Sequence, residues 1–498
     1  MISNRVDIKE FFENDGYEII VPEVKQNNEL LLDDNLLPLN RELSTEIQTA
    51  ESPVLKQRDN IRKIVSHAAT PLLKIAPEGA YDIPTIVEYL NWHMGNVGQI
   101  VIGRDEIIKQ AIYAILTGEH MLLLSRTGMA KSYLGNSVFN IFEGARVFSA
   151  QASKDQTPDN YFGPYNIDEF RKGRIRHNIK GSIIESNFVF LDEFFDASDV
   201  VLRSLLSVLN ERKFINGSEQ IDTAIHTTIA TANYMRMNEV TEAVLDRFTY
   251  KSIIPEDNNV YNQLLIDQTY TVCRGKPVDP DKKIFFNQIL FLHEIITNRH
   301  RDIKVTVPEF MYFMKNVFVT KFVSEMRKND QNFFISPRKQ AKLGDFLRAS
   351  ALVNNRFKVE MDDLRDMYLA VCTLNSYTSS VKNFDKSEKE LYLDVFQKTM
   401  NHFKATGALA QIEFLLGIRT IFSEIESDPE KKEQILKKHS MLDTIKNLLK
   451  LIFSGRRKDE EEELSLDALK KSVFDVNSSV EEVNELKNGI LKQYRELT

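Results

Sequence analysis

Apolar positions change their spacing several times along the chain, and each change marks a different kind of element. Over residues 95–255, short apolar runs at 120–124, 146–150, 187–191 and 226–232 read as buried strands, and the stretches between them are long enough for helices. This alternation predicts an α/β fold, a parallel sheet covered by crossover helices, which gathers ligands at the carboxyl ends of its strands. Over 256–380 apolar residues recur three and four apart, at 284–296, 311–326, 341–352 and 361–374, with Pro280, Pro308 and Pro337 as interruptions. A helical lid is expected there.

Residues 381–498 keep the helical period. Leu466, Leu469, Val473, Val476, Val480 and Val483 alternate spacings of three and four, continued by Leu486, Ile490, Tyr494 and Leu497. The spacing predicts one helix of ~30 residues, about 45 Å long. It would pack against 442–453 of the same chain or pair with another chain as a coiled coil. Between these segments, Arg456 to Lys458 and then Asp459 to Glu463 form a basic-to-acidic linker. Residues 1–94 differ again, with short apolar clusters separated by Pro22, Pro38, Pro53, Pro71, Pro77 and Pro84. They read as an N-terminal extension of short elements and turns, without a chemical motif.

Composition narrows the class. A chain of 498 residues exceeds one hydrophobic core, and about three units are expected. With 42% hydrophobic and 27% charged residues it falls in the ordinary globular range. The net charge of -8 supplies no global basic field, which argues against nucleic acid or anionic lipid as the main partner. Cys273 and Cys372 stand far apart with no C-x-x-C, so neither a disulfide framework nor a zinc site is indicated, and a reducing, cytoplasmic location is expected. The acidic start (Asp7, Glu10, Glu13, Asp15) lacks a signal-peptide core, and no apolar stretch approaches the ~20 residues of a membrane span.

Candidate chemistry begins where the first apolar run ends. Ser125, Arg126, Thr127, Gly128, Met129, Ala130, Lys131 and Ser132 follow it with the outline of a phosphate-binding loop. Backbone N–H groups of such a loop cradle phosphate, its lysine reaches the β and γ oxygens, and its hydroxyl binds Mg²⁺. Ser125 and Ala130 stand where the strict pattern has glycine, so the loop does not decide the matter alone.

A second strand must then bring a carboxylate to the metal, and Asn187-Phe-Val-Phe-Leu-Asp192-Glu193 provides it. Asp192 would hold Mg²⁺ or its water, and Glu193 would polarise the attacking water. The 226–232 run ends in Asn233, a neutral group suited to the γ-phosphate or that water. Glu242-Ala-Val-Leu-Asp246-Arg247-Phe248 then offers Arg247 as a finger toward a neighbour's γ-phosphate. Ser336-Pro337-Arg338 opens a helix, and a cation at that end is electrostatically disfavoured, which points to a ligand role for Arg338. Each segment also has a purely structural explanation: a polar strand tip, a strand-end turn, a local Asp246–Arg247 pair or a solvated arginine. Their order along one chain is what argues for a common site.

In that order the chain resembles the MoxR family of AAA+ ATPases. Ala130 before the loop lysine and Ile102-Gly103-Arg104 ahead of the loop carry the likeness. Phe162-Gly163-Pro164, Val189-Phe-Leu-Asp192-Glu193, Asn210-Glu211-Arg212 and Phe214-Ile-Asn-Gly217 are similar to the RavA-like subgroup. The resemblance covers residues 95–380. It implies an AAA+ P-loop domain over 95–255 and an all-α lid over 256–380, with ATP and Mg²⁺ as cofactors. Lys131, Ser132 and the Walker B pair Asp192 and Glu193 would form the site, with Asn233 as sensor 1, Arg247 as arginine finger and Arg338 as sensor 2. The Ile102-Gly103-Arg104 segment would touch the base, and a basic insertion at 164–182 (Arg171, Lys172, Arg174, Arg176, His177, Lys180) would face a client. The family works as homo-oligomeric rings, usually hexamers, on protein clients, often with a von Willebrand A-domain partner. Ser125 and Arg126 depart from the usual glycine and proline, and no match to the RavA-like carboxyl-terminal β-rich domain is visible.

The leading expectation is therefore an ATP-hydrolysing motor that remodels a protein client. Two alternatives stay open: a nucleotide-dependent assembly scaffold with vestigial hydrolysis, and a nucleic-acid remodelling AAA+ protein.

Overall fold

A computed structural model describes residues 72–495 apart from 78, 217–218, 235–242, 255, 276–279, 281, 329–330, 332, 373–386 and 441–464. Residues 1–71, Glu242, the 442–453 segment, the charged linker at 456–463 and Leu497 lie outside the described residues.

The alternating side chains of Phe188–Asp192 show how the centre is built: Phe188 and Phe190 enter one core, Val189 and Leu191 another. This is strand β3 of a wholly parallel sheet whose other members are β1 (Met121–Leu124), β2 (Val147–Gln151), β4 (Thr227–Ala232) and β5 (Tyr250–Ile253). The order across the sheet is β5-β1-β4-β3-β2. Register places Leu191 opposite Ala230, so Asp192 and Thr231 are the next pair toward the carboxyl end.

Helices cover both faces, as parallel sheets require. On one face lie α2 (Asp105–Thr117) and α3 (Lys131–Phe139). Buried nearly all round, α2 is the central helix of the larger core, and α1 (Ile83–Ile100) packs beside it through Ile83, Ile86, Val87, Leu90 and Val97. The residue-94 division drawn from sequence falls inside α1. On the opposite face α4 (Asp199–Glu211) places Val201, Leu202, Leu205, Val208 and Leu209 against Val189, Leu191 and Leu122. An antiparallel hairpin, Lys213–Asn216 with Glu219–Asp222, follows α4.

After β5 the chain is helical: α5 (Val260–Cys273), α6 (Phe286–Ile296), α7 (Glu309–Arg327) and α8 (Pro337–Val353). Helices α6 and α8 pack on α2, with Tyr113 and Phe346 edge to face at 5.0 Å. Helix α8 starts as its sequence directs, Ser336 accepting from the Lys339 amide at 3.2 Å with Pro337 in the first turn. Helices α9 (Glu388–Ala405) and α10 (Ala408–Ser427) meet at 82°. Short α11 (Lys432–Ser440) follows. Among the described residues no single helix is long and apolar enough to cross a membrane.

The expected ~30-residue terminal helix is two helices, α12 (Leu466–Asp475) and α13 (Glu481–Gln493). Val476 turns extended, Ser478 accepts from the Val480 amide at 3.2 Å, and the Asn484 amide donates to Ser478 O at 3.0 Å. These local bonds replace helical ones through Asn477-Ser478-Ser479. Leu469, Val473, Val476, Val480, Val483, Ile490 and Tyr494 are buried within the chain's own core, Tyr494 meeting Phe422 of α10 at 5.4 Å. The coiled-coil-like seam is thus an internal packing stripe.

Candidate active site

The loop from β1 into α3 closes over the carboxyl end of the sheet. Of the two positions where the strict pattern has glycine, only Ala130 takes a left-handed backbone (φ 58°); Ser125 does not, so serine costs nothing there. Together with Gly128 (φ 85°) this curls successive N–H groups into an anion-binding concavity at the start of α3. Lys131, 7% exposed, donates to Ser125 O at 3.1 Å, to Ala232 O at 3.5 Å and to the Asn233 side-chain oxygen. Burial lowers its pKa, against the opposing pull of Asp192 and Glu193. A buried ammonium whose direct partners are neutral oxygens suits a phosphate group.

Asp192 is held from both sides. Ser132 Oγ donates to its Oδ2 at 2.6 Å, and the Thr231 hydroxyl donates to Oδ1. The Ser132 and Asp192 oxygens form a hard donor pair of the kind Mg²⁺ takes. Glu193 follows in a left-handed backbone (φ 54°), a conformation that costs a non-glycine residue of order 1 kcal/mol and turns its side chain toward β4. There the Asn233 amide donates to Glu193 Oε1 at 2.6 Å. A hydrogen bond with Asp196 is the main reason the Glu193 carboxyl titrates above its ordinary range, with burial second. The Tyr234 hydroxyl donates to Asp196 in turn.

Beside this network opens a cavity of about 560 Å³, within the size range of small-molecule sites. Arg126, Thr127, Gly128, Met129 and Ala130 line one side and Ile102 and Arg104 another, with Ile266, Thr269, Tyr270 and Cys273 of α5 opposite. The segment expected to touch a base therefore stands beside the phosphate loop.

Residues 88–290 match the family model of the MoxR domain in MoxR-vWA-beta-propeller ternary systems, and residues 316–383 match an AAA lid domain. The chain carries a MoxR-family AAA+ module. It is 24% identical over 326 residues to an uncharacterized protein of Methanocaldococcus jannaschii, spanning 65% of this chain and 79% of that one. It is 25% identical over 310 residues to the chaperone MoxR1 of Mycobacterium tuberculosis, spanning 60% and 78%. The crystal structure of a candidate ATPase from Cytophaga hutchinsonii covers 64% of this chain and 96% of its own, with a TM-score of 0.50 and 20% identity, a likeness of fold.

The AAA+ module does not bring every expected residue to one cavity. Arg247 precedes β5, at the edge where the strands begin, and donates to Ala243 O at 3.0 Å. Arg338 donates to Asn210 Oδ1 at 2.7 Å, at the end of α4. That is the same edge: Lys342, one turn after Arg338, pairs with Glu119 at 2.5 Å, and Glu119 accepts from Thr249 at 2.7 Å. Burial pushes neighbouring Lys339 down to about 7, and Asp246, beside Arg247, is among the carboxylates opposing that shift. Both arginines thus gather at the opposite end of the sheet from the phosphate loop of their own chain.

The 164–182 segment of the MoxR-type module is a closed excursion, Asn166 N bonding Arg176 O and Asn178 N bonding Pro164 O, both at 2.7 Å. It exposes Ile167, Phe170 and Ile175, while Glu169 pairs with Lys172 at 2.9 Å and lies 3.6 Å from Arg174. Sequence reasoning missed Thr231, Asp196 and Tyr234. Register alone could have pointed to Thr231, and nothing in the local sequence to the other two.

Proposed function

We propose that this chain is an ATP-hydrolysing MoxR-type AAA+ motor, RavA-like in its core, that acts in the cytoplasm as a homo-oligomeric ring, hexameric by family habit, and remodels a protein client. The observation that carries the reading is one continuous network, Ser132–Asp192–Thr231 and Lys131–Asn233–Glu193, joined by the Glu193 amide donating to Asp192 and contiguous with the phosphate loop that lines a nucleotide-sized cavity. Those groups match the needs of phosphoryl transfer to water, where positioning and charge stabilisation supply most of the rate. ATP is the substrate. Lys131 and the loop amides bind its phosphates, and Ser132 and Asp192 would hold Mg²⁺, which would offset phosphate charge. Glu193 takes a proton from the attacking water, and the Asn233 amide orients that carboxylate.

Arg247 and Arg338 lie away from the phosphate loop of their own chain, which supports assigning both to act across a subunit boundary. The exposed apolar and basic tip at 164–182 is assigned to the client, and a von Willebrand A-domain protein is the proposed partner, following the family description of the matched domain. A mixing experiment tests the reading. Arg247→Ala retains its base and Glu193→Gln retains its finger; each alone should be nearly inactive, and mixtures should regain ATPase activity. Mixtures no more active than their parts would reject the shared site and favour the scaffold alternative.

A further inference from the structure

Arg126 occupies the second position of the phosphate loop, and Glu256 follows β5. Both line the cavity, and they meet across its mouth, Arg126 Nη1 to Glu256 Oε1 at 2.6 Å, with side chains 83% and 55% exposed. A carboxylate in the wall of a phosphate-binding cavity opposes an incoming polyanion, and here the guanidinium that neutralises it is itself well suited to phosphate. Because an exposed ion pair is weak, a triphosphate can compete for that arginine.

The next residues continue the connection. Asp257 accepts from Asn262 of α5 at 2.8 Å, and its Oδ2 would lie 2.5 Å from a Cβ at Gly103. Helix α5 buries none of its residues, so its position over the cavity rests on contacts of this kind.

We propose that Arg126 and Glu256 form a gate over the nucleotide cavity. Glu256 holds Arg126 when the cavity is empty, and nucleotide phosphate draws the guanidinium away, loosening a tether between the phosphate loop and the segment leading to α5. The proposal rests on reading the cavity as the nucleotide site.

Titration of a fluorescent ATP analogue with Mg²⁺ into wild type, Arg126→Ala, Glu256→Gln and the double variant tests it. Arg126→Ala should weaken binding. Glu256→Gln should tighten it about two- to fivefold, the range of one exposed ion pair. That tightening should be smaller when Arg126 is absent, because no pair then remains to be broken. Weakening by both single variants would make the pair a strut and overturn the gate. Equal tightening in both backgrounds would reduce the two residues to independent charges and overturn it as well. Failure of the wild type to bind the analogue would instead reject the nucleotide-site reading, and the gate with it.

Discussion

Gly135 links core packing to the phosphate site, and Gly135→Ala should damage both. The residue lies on the face of α3 that meets β3, where a Cβ would stand 2.4 and 2.6 Å from two ring carbons of Phe190. Carbon atoms settle about 3.5–4.0 Å apart, so α3 or the ring must move by roughly 1 Å. Phe190 is only 2% exposed and has little room, and overpacking of this kind costs about 1–3 kcal/mol. Ser132 sits one turn earlier on the same face and bonds Asp192 at 2.6 Å. A shift of about 1 Å would stretch that contact beyond hydrogen-bonding range and tilt the amides of the loop. Urea unfolding should register the lost stability, and ATP titration in Mg²⁺ should show roughly tenfold weaker binding, equivalent to about 1.4 kcal/mol. Adding Phe190→Leu should recover part of both losses by making room. Unchanged binding in Gly135→Ala, or no recovery in the double variant, would refute the linkage.

Two further predictions concern titration. Glu193 must be ionised to accept a proton, and its hydrogen bond with Asp196 raises its pKa, so turnover should fall as pH drops through that raised value; Asp196→Asn should move the acid limb of the pH–rate profile to lower pH. At the other end of the sheet burial lowers the His293 pKa to about 4, and the buried His120 and His226 are held well below 6.5. The unfolded chain therefore takes up these protons first, and stability is lost as pH falls from about 6.5, by about 3 kcal/mol for His293 once pH reaches its folded value. His293→Gln, which keeps a donor toward Leu116 O, should flatten that dependence in unfolding experiments.

The strands were legible because a parallel sheet buried on both faces needs unbroken apolar runs, and β1, β3 and β4 supply them. The loop, Asp192, Glu193 and Asn233 were legible because each ends one of those runs. Their second partners were not: Thr231 meets Asp192 only through strand register, and the Arg126–Glu256 pair exists because β5 lies beside β1. Arg338 reads in sequence as a lid residue with a ligand role, yet where α8 places it depends on how the lid helices pack on α2. The terminal apolar stripe carried a correct burial signal and a wrong length, since Asn477-Ser478-Ser479 turn the chain while apolar spacing continues across the break.

The central claim is that Glu193 activates water for an ATP held by Lys131, Ser132 and Asp192. Phosphate release measured beside ATP binding, in wild type and in Glu193→Gln, tests it most directly. The account predicts binding within about threefold of wild type and phosphate release lowered at least about a hundredfold, the usual worth of a positioned base. Equal phosphate release by the two proteins would contradict it.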